Sequence, residues 1–200
     1  ITYDLEGGKI TEGENPTSYT VKELVSLLNP EKEGYTFIGW TGSNGNTPQK
    51  SISIEPGATG NKHYKANYTI NSYKLQIDYI HENGNTMSPS YSEDIEYNSE
   101  YKVVSPEHIG YIANIPVVEG VMGTEDIKVE VIYSDHIAPF KANHYKQNIY
   151  DDGYTLFEVE DLEGVVGWET TVSPKEYEGF TCVAPGITDE VKVDGSTVID

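Results

Sequence analysis

Pro30-Glu-Lys-Glu-Gly34-Tyr35 recurs as Pro106-Glu-His-Ile-Gly110-Tyr111 and again as Pro174-Lys-Glu-Tyr-Glu-Gly179-Phe180. In each copy a proline is followed four or five residues later by glycine and an aromatic ring. Gly34 and Gly110 lie 76 residues apart, Gly110 and Gly179 lie 69 apart. Self-similarity at a nearly constant period is the signature of tandem units. The spacing therefore predicts three modules, at 1–70, 71–136 and 137–200, in place of one large domain. A unit of about 65 residues buries only ~60% of its unfolded surface, which leaves little room for a deep catalytic pocket beside a core.

The stretches around each motif read mostly as strands. Ile1, Tyr3 and Leu5 alternate with polar residues, and so do Tyr73 to Ile80 and Ile127 to Tyr133; period two is the mark of a half-buried strand. Tyr35-Thr-Phe-Ile-Gly-Trp40 reads as a buried strand with Trp40 in the core, closed by the turn-forming run Gly42-Ser-Asn-Gly-Asn46. Asn83-Gly84 and Asp151-Asp152-Gly153 are hairpin signals. One helix is predicted. Thr20 and Glu23 have capping-box spacing, Val21, Leu24, Val25 and Leu28 follow at three- and four-residue steps, and Asn29-Pro30 stops it. The fold class expected is α+β, mostly β: three small β-grasp-like (ubiquitin-like) modules in an elongated array.

Charge narrows the partners. The chain carries 33 acidic residues against 13 lysines, no arginine, and a net charge of −20. Nucleic acid and anionic membrane surfaces both demand clustered positive charge, so neither is an expected partner. No apolar run reaches the length of a membrane span. Cys182, the single cysteine, sits in the apolar stretch Gly179-Phe-Thr-Cys-Val-Ala184 and is read as a small buried residue. The chain opens directly in a strand pattern and stops inside Ser196-Thr-Val-Ile-Asp200, so a fragment of a longer protein is expected, with the third module truncated.

No reaction centre is legible. His63, His81, His108, His136 and His144 lack paired metal-ligand spacing. Ser134-Asp135-His136 are neighbours, and adjacent residues of an extended chain point to opposite faces. The acidic pairs Glu93-Asp94, Glu125-Asp126, Asp151-Asp152 and Asp189-Glu190 fall in turns and read as solvated loops. Asp151-Asp152-Gly153 offers hard oxygens to calcium, but too few for the six to eight that ion takes. Trp168 is read either as core or as part of a stacking platform for sugars. The chain is expected to hold no catalytic, cofactor or metal residues and to be no enzyme.

Family resemblances cover nearly the whole chain. Residues 1–68 resemble the Listeria–Bacteroides repeat, also called the internalin B-repeat, through Ile1-Thr-Tyr-Asp-Leu-Glu-Gly-Gly8, Gly34-Tyr-Thr-Phe-Ile-Gly-Trp40 and Tyr64-Lys-Ala-Asn-Tyr68. Residues 73–133 are similar to mucin-binding-protein repeats, through Ile77-Asp-Tyr-Ile-His-Glu-Asn-Gly-Asn85, Pro89-Ser90, Ser105-Pro106, Gly110-Tyr111 and Val129-Glu-Val-Ile-Tyr133. Residues 142–200 resemble a related Gram-positive surface repeat, through His144-Tyr-Lys-Gln-Asn148, Gly153-Tyr-Thr155, Gly164-Val-Val-Gly167 and Tyr177-Glu-Gly-Phe180. These resemblances imply a monomeric, cell-wall-attached, extracellular repeat region of a Gram-positive adhesin. Such a region acts as a spacer and contacts a host glycoprotein, mucin included, or an extracellular-matrix protein. The alternative is a set of accessory modules in a large secreted or wall-attached enzyme.

Overall fold

The computed structural model describes residues 1–182 and 186–200, and every regular element among them is a strand. The first third supplies β1 (Thr2–Asp4), β2 (Val25–Ser26), β3 (Tyr35–Gly42), β4 (Gly45–Gln49), β5 (Ser53–Ile54) and β6 (His63–Ile70). The second supplies β7 (Ser72–His81), β8 (Thr86–Glu96), β9 (Glu100–Val104), β10 (Tyr111–Ala113), β11 (Val117–Val121) and β12 (Ile127–Asp135). The last supplies β13 (Ile137–Gln147), β14 (Tyr154–Val165), β15 (Glu169–Val172), β16 (Ile187–Glu190) and β17 (Val198–Ile199). The three larger sheets run β1-β6-β3-β4, β10-β12-β7-β8 and β14-β13-β17, each drawn from one stretch of chain. Small two-stranded ribbons, β2-β5, β9-β11 and β15-β16, accompany them.

The architecture is all-β, not α+β. The helix expected after Thr20 does not form. Half of its cap does: the Thr20 N–H donates to Glu23 Oε2 at 2.7 Å, and Glu23 N–H donates to the Thr20 carbonyl at 3.2 Å. The chain then extends instead of winding on, and Val25–Ser26 pair antiparallel with Ser53–Ile54. The competing pattern has period two. Val25 and Leu27 are buried together with Ile52 and Ile54, while Val21 and Leu24 stay exposed. Nine residues with a β-branched start are too few to nucleate a helix unaided, and the second strand pair supplies the packing that decides the matter.

This correction is testable by substitution. In a helix Leu24 would be a core residue, and Leu24→Ala would cost about 2–5 kcal/mol. With Leu24 60% exposed, the loss expected in urea unfolding is under ~0.5 kcal/mol. Val25→Ala, by contrast, is expected to cost roughly 1–2 kcal/mol from lost burial.

By contacts the described residues divide into two compact units. One holds residues 1–77, 90–103 and 118–129; the other holds 78–89, 104–117 and 130–200. In the first unit Trp40 is the centre of the core. It is fully buried among Tyr3, Phe37 and Tyr64 at centroid distances of 6.0, 5.5 and 6.4 Å, and its Nε1–H donates to Asn29 Oδ1 at 3.1 Å. The alternation read at Ile1, Tyr3 and Leu5 lays these side chains against that cluster. β1 runs parallel to β6 and β6 antiparallel to β3. In the second unit Ala138, Phe140, Val191 and Ile199 form a separate core with Leu162, Val166 and Val172 around it.

The turns expected in Gly42–Asn46 and at Asn83-Gly84 and Asp151-Gly153 close the hairpins β3–β4, β7–β8 and β13–β14, the first of them at Ser43-Asn44. Cys182, expected to be buried, is exposed. The run placed around it does not pair as a strand through Cys182, and its Val183 and Ala184 lie outside the described residues.

Candidate functional site

All three proline–glycine–aromatic motifs make the same turn. Tyr35 N–H donates to the Lys32 carbonyl at 3.0 Å, Tyr111 N–H to His108 at 3.1 Å, and Phe180 N–H to Tyr177 at 3.0 Å. The glycine before each aromatic has φ of +74°, +83° and +82°. A positive φ at the third turn residue is the type II requirement that glycine meets without a Cβ penalty. The punctuation read in the sequence is thus a conserved piece of backbone geometry within this chain.

Two of these turns are corners at which consecutive stretches of chain are tied. In the first unit β6 ends opposite Tyr35, and the next residue, Asn71, donates its N–H to the Gly34 carbonyl at 2.9 Å. The Asn71 carbonyl accepts from Tyr97 N–H at 2.8 Å; Asn98 N–H reaches the Met122 carbonyl at 2.8 Å, and Met122 N–H reaches Ser99 at 2.9 Å. In the second unit β12 ends opposite Tyr111, and His136 N–H donates to the Gly110 carbonyl at 2.8 Å. The His136 carbonyl accepts from Val166 N–H at 2.9 Å; Gly167 N–H reaches Val191 at 2.8 Å, and Val191 N–H reaches Trp168 at 3.1 Å. The relay repeats bond for bond. Asn98 and Gly167 hold the same position in it and share a left-handed backbone, at φ +62° and +75°.

Each corner also seats a ring where a glycine side chain would be. A Cβ on Gly34 would fall 2.1 Å from the Tyr97 ring, and one on Gly110 would fall 2.9 Å from Trp168 Nε1. The rings meet the motif aromatics edge-on, Tyr97 on Tyr35 at 6.1 Å and Trp168 on Tyr111 at 6.4 Å. Glycine here serves two ends at once, a left-handed turn and room for a ring. Trp168, left open between core and platform, is a half-exposed corner residue.

The residues weighed for chemistry are dispersed. Asp135 Oδ1 lies 3.3 Å from His81 Nε2, so Ser134, Asp135 and His136 do not converge on one another. Asp151 Oδ1 accepts from Asn148 Nδ2 and from Gly153 N–H, which hold its carboxyl below the usual range and employ it as a turn clamp. No cluster of three metal-ligating side chains occurs among the described residues. No helix long and apolar enough to cross a membrane occurs among the described residues.

What sequence reasoning missed is a charged and aromatic cluster on the second unit. Lys146 Nζ sits 3.3 Å from the Phe157 ring centroid and 4.2 Å from that of Tyr177. Glu158 accepts from Lys175 Nζ at 2.7 Å and from Tyr177 Oη at 2.8 Å; buried His144 faces Glu160 at 3.3 Å. His144, Lys146, Lys175 and Tyr177 of this cluster line an open groove of about 1500 Å³ that runs along β13 and past Phe180. Its only trace in the sequence is the two-residue spacing of His144 and Lys146, which reads equally well as an ordinary strand face.

The Lys175 and Tyr177 bonds hold the Glu158 carboxyl below the usual glutamate range. A carboxyl depressed in the folded state stabilises at pH values above its unfolded pKa, and that contribution is lost as pH falls through the folded value. A carbon-detected NMR titration is expected to find Glu158 ionising below the usual glutamate range. In Lys175→Ala it should rise toward that range, with the Tyr177 bond still holding it down.

Comparison with known proteins gives two findings. The family described as the Listeria-Bacteroides repeat domain matches residues 1–63. Among solved structures the chain is similar to a type 2 repeat of the mucus binding protein MUB from Lactobacillus reuteri, at 12% identity and a TM-score of 0.28, over 51% of this chain and 76% of that one. No curated protein matches the chain.

Proposed function

We propose that this chain is a non-catalytic repeat region of a bacterial cell-surface adhesin, extracellular and wall-attached in a Gram-positive organism. Its three stretches, 1–70, 71–136 and 137–200, act as small modules that space other parts of the protein and contact host glycoproteins. The observation that carries this reading is the duplicated corner. A chain that repeats the same relay at Gly34 and Gly110 has a device for joining one sheet to the next, which is what a spacer needs. The match of residues 1–63 to a repeat family supports it, as does the likeness of residues 73–133 to mucin-binding repeats in their sequence. The parallel β1–β6 pairing with β3 beside β6 supports a β-grasp-like plan in which the β2–β5 ribbon stands where a helix would cover the sheet.

The charge of −20 suits such a role, because mutual repulsion keeps neighbouring copies apart on a crowded surface. Contacts with glycoprotein are weak singly and gain strength by number. The test is antibody labelling of intact source cells combined with adhesion of the purified chain to immobilised mucin and matrix proteins. Labelling of unpermeabilised cells with saturable adhesion is expected. Labelling only after lysis, or turnover of a substrate by the repurified chain, would contradict the reading.

A further inference from the structure

Two hairpin tips carry the same four residues. Asn44-Gly-Asn-Thr47 leads into β4, and Asn83-Gly-Asn-Thr86 leads into β8. The glycine after each asparagine has a left-handed backbone, at φ +103° for Gly45 and +89° for Gly84, and a Cβ on either would meet nothing within 4 Å. Asn-Gly is the step at which a backbone amide nitrogen most readily reaches the preceding side-chain carbonyl, because glycine has no side chain to block the approach. With sequence and backbone matched, a difference in reactivity between the two comes from what each side-chain amide touches.

The two side chains have opposite surroundings. Asn83 is exposed, and its Oδ1 accepts from the Asn85 N–H at 2.9 Å, the amide next beyond Gly84. That donor faces the oxygen on which negative charge develops when the side-chain carbonyl is attacked, and a preset donor there lowers the barrier. The attacking nitrogen is occupied only within the turn, where Gly84 N–H donates to the His81 carbonyl at 2.8 Å. A bond at an exposed hairpin tip opens locally at small cost. Asn44 is half-buried. Its Nδ2, the leaving group, is tied to the Trp40 carbonyl at 2.8 Å, and its Oδ1 is buried and accepts no hydrogen bond among the described residues. Charge developing on a buried oxygen without a donor is costly.

We propose that Asn83 is a site of spontaneous, enzyme-free modification. The Gly84 nitrogen bonds to Asn83 Cγ, the Cγ–Nδ2 bond breaks, and ammonia leaves carrying the displaced amide proton. Water then opens the resulting succinimide to aspartate or isoaspartate at position 83. The step adds one negative charge to the tip. In its isoaspartate form it also adds an atom to the main chain of a turn whose length sets the register of β7 and β8. Asn44 stays an amide. The proposal does not depend on the function suggested above.

The test uses the intact 200-residue chain, aged for several days in mildly alkaline buffer and mapped by peptide mass spectrometry with isoaspartyl-methyltransferase labelling. Conversion at Asn83 is expected to outpace that at Asn44 by at least about tenfold, the factor that an unpaired buried oxygen imposes on a barrier. In urea sufficient to unfold the chain, the two steps should react at similar rates, since the tetrapeptides are the same. Asn85→Pro removes the donor to Asn83 Oδ1. It should slow the Asn83 step in the folded chain and leave it unchanged in urea, with the amides of Leu75 to Tyr79 unmoved as a check on folding. Equal rates at both sites in the folded chain, faster loss at Asn44, no conversion at Asn83, or an undiminished rate in folded Asn85→Pro would overturn the proposal. So would a preference for Asn83 that persists in urea, because its cause would then lie in the local sequence and not in the fold.

Discussion

Gly34→Ala is expected to destabilise the chain by roughly 2–3 kcal/mol, far more than a glycine change in a turn normally does. The backbone share is about 1–2 kcal/mol, the cost of a left-handed φ for a residue with a Cβ. The remainder comes from the ring. The new methyl would overlap the Tyr97 ring at its root, 2.1 Å from Cγ, so rotating the far end of the side chain gives no relief. Displacing Tyr97 forfeits its edge-on contact with Tyr35, worth about 0.5–1.5 kcal/mol. Gly57 and Gly60 serve as controls. Both have positive φ, but a Cβ there meets nothing within 4 Å, so Gly57→Ala and Gly60→Ala should show the backbone share alone. Urea unfolding of the three variants separates the two contributions, and a Gly34→Ala midpoint equal to the controls would mean that the corner carries no load.

Trp40→Ala is expected to be the most damaging single truncation in the first unit, at about 3–5 kcal/mol. The indole is enclosed on three sides by Tyr3, Phe37 and Tyr64, and removing it also leaves Asn29 Oδ1 without its donor. A cavity lined by strand residues collapses poorly, because each ring is held by its own ladder. The substitution leaves Trp168 as the sole tryptophan, and Trp168 belongs to the second unit. If the cores are separate, circular dichroism should show an early loss of part of the β signal, while Trp168 fluorescence keeps its original midpoint. A common shift of both signals would contradict separate cores.

Much of the fold was legible because strands, turns and hairpins are specified locally. Alternation at Ile1–Leu5 and Ile127–Tyr133 and the Asn83-Gly84 turn each depend on neighbours a few residues away. The segment after Thr20 failed for the opposite reason. Val25 and Leu27 are strand residues only because Ile52 and Ile54 lie beside them, a pairing across some 27 positions that a helical periodicity conceals. Cys182 was read as buried from its apolar neighbours, yet it lies exposed on the lining of the open groove.

The corners were half legible. The motif itself announced a repeat, and its glycine announced a turn. Its purpose, seating the next ring, depends on Tyr97 and Trp168, which lie 63 and 58 residues downstream of Gly34 and Gly110 at positions that do not match in register. A signal was present all the same: one-residue links, Asn71 and His136, each follow a strand that ends opposite the motif aromatic. The Lys146 cluster left no comparable trace, because cation and rings come together from β13, β14 and the loop before Phe180.

Pulling the 200-residue chain by its two ends in an optical trap addresses modularity most directly. If the three proposed modules close separately, they should release in three steps, each freeing about 65–70 residues and so lengthening the chain by roughly 230 Å, given ~3.3–3.6 Å per extended residue. The step assigned to the first stretch should weaken in Trp40→Ala while the others hold. A single rupture that frees the entire chain at once would contradict a string of separately closed modules.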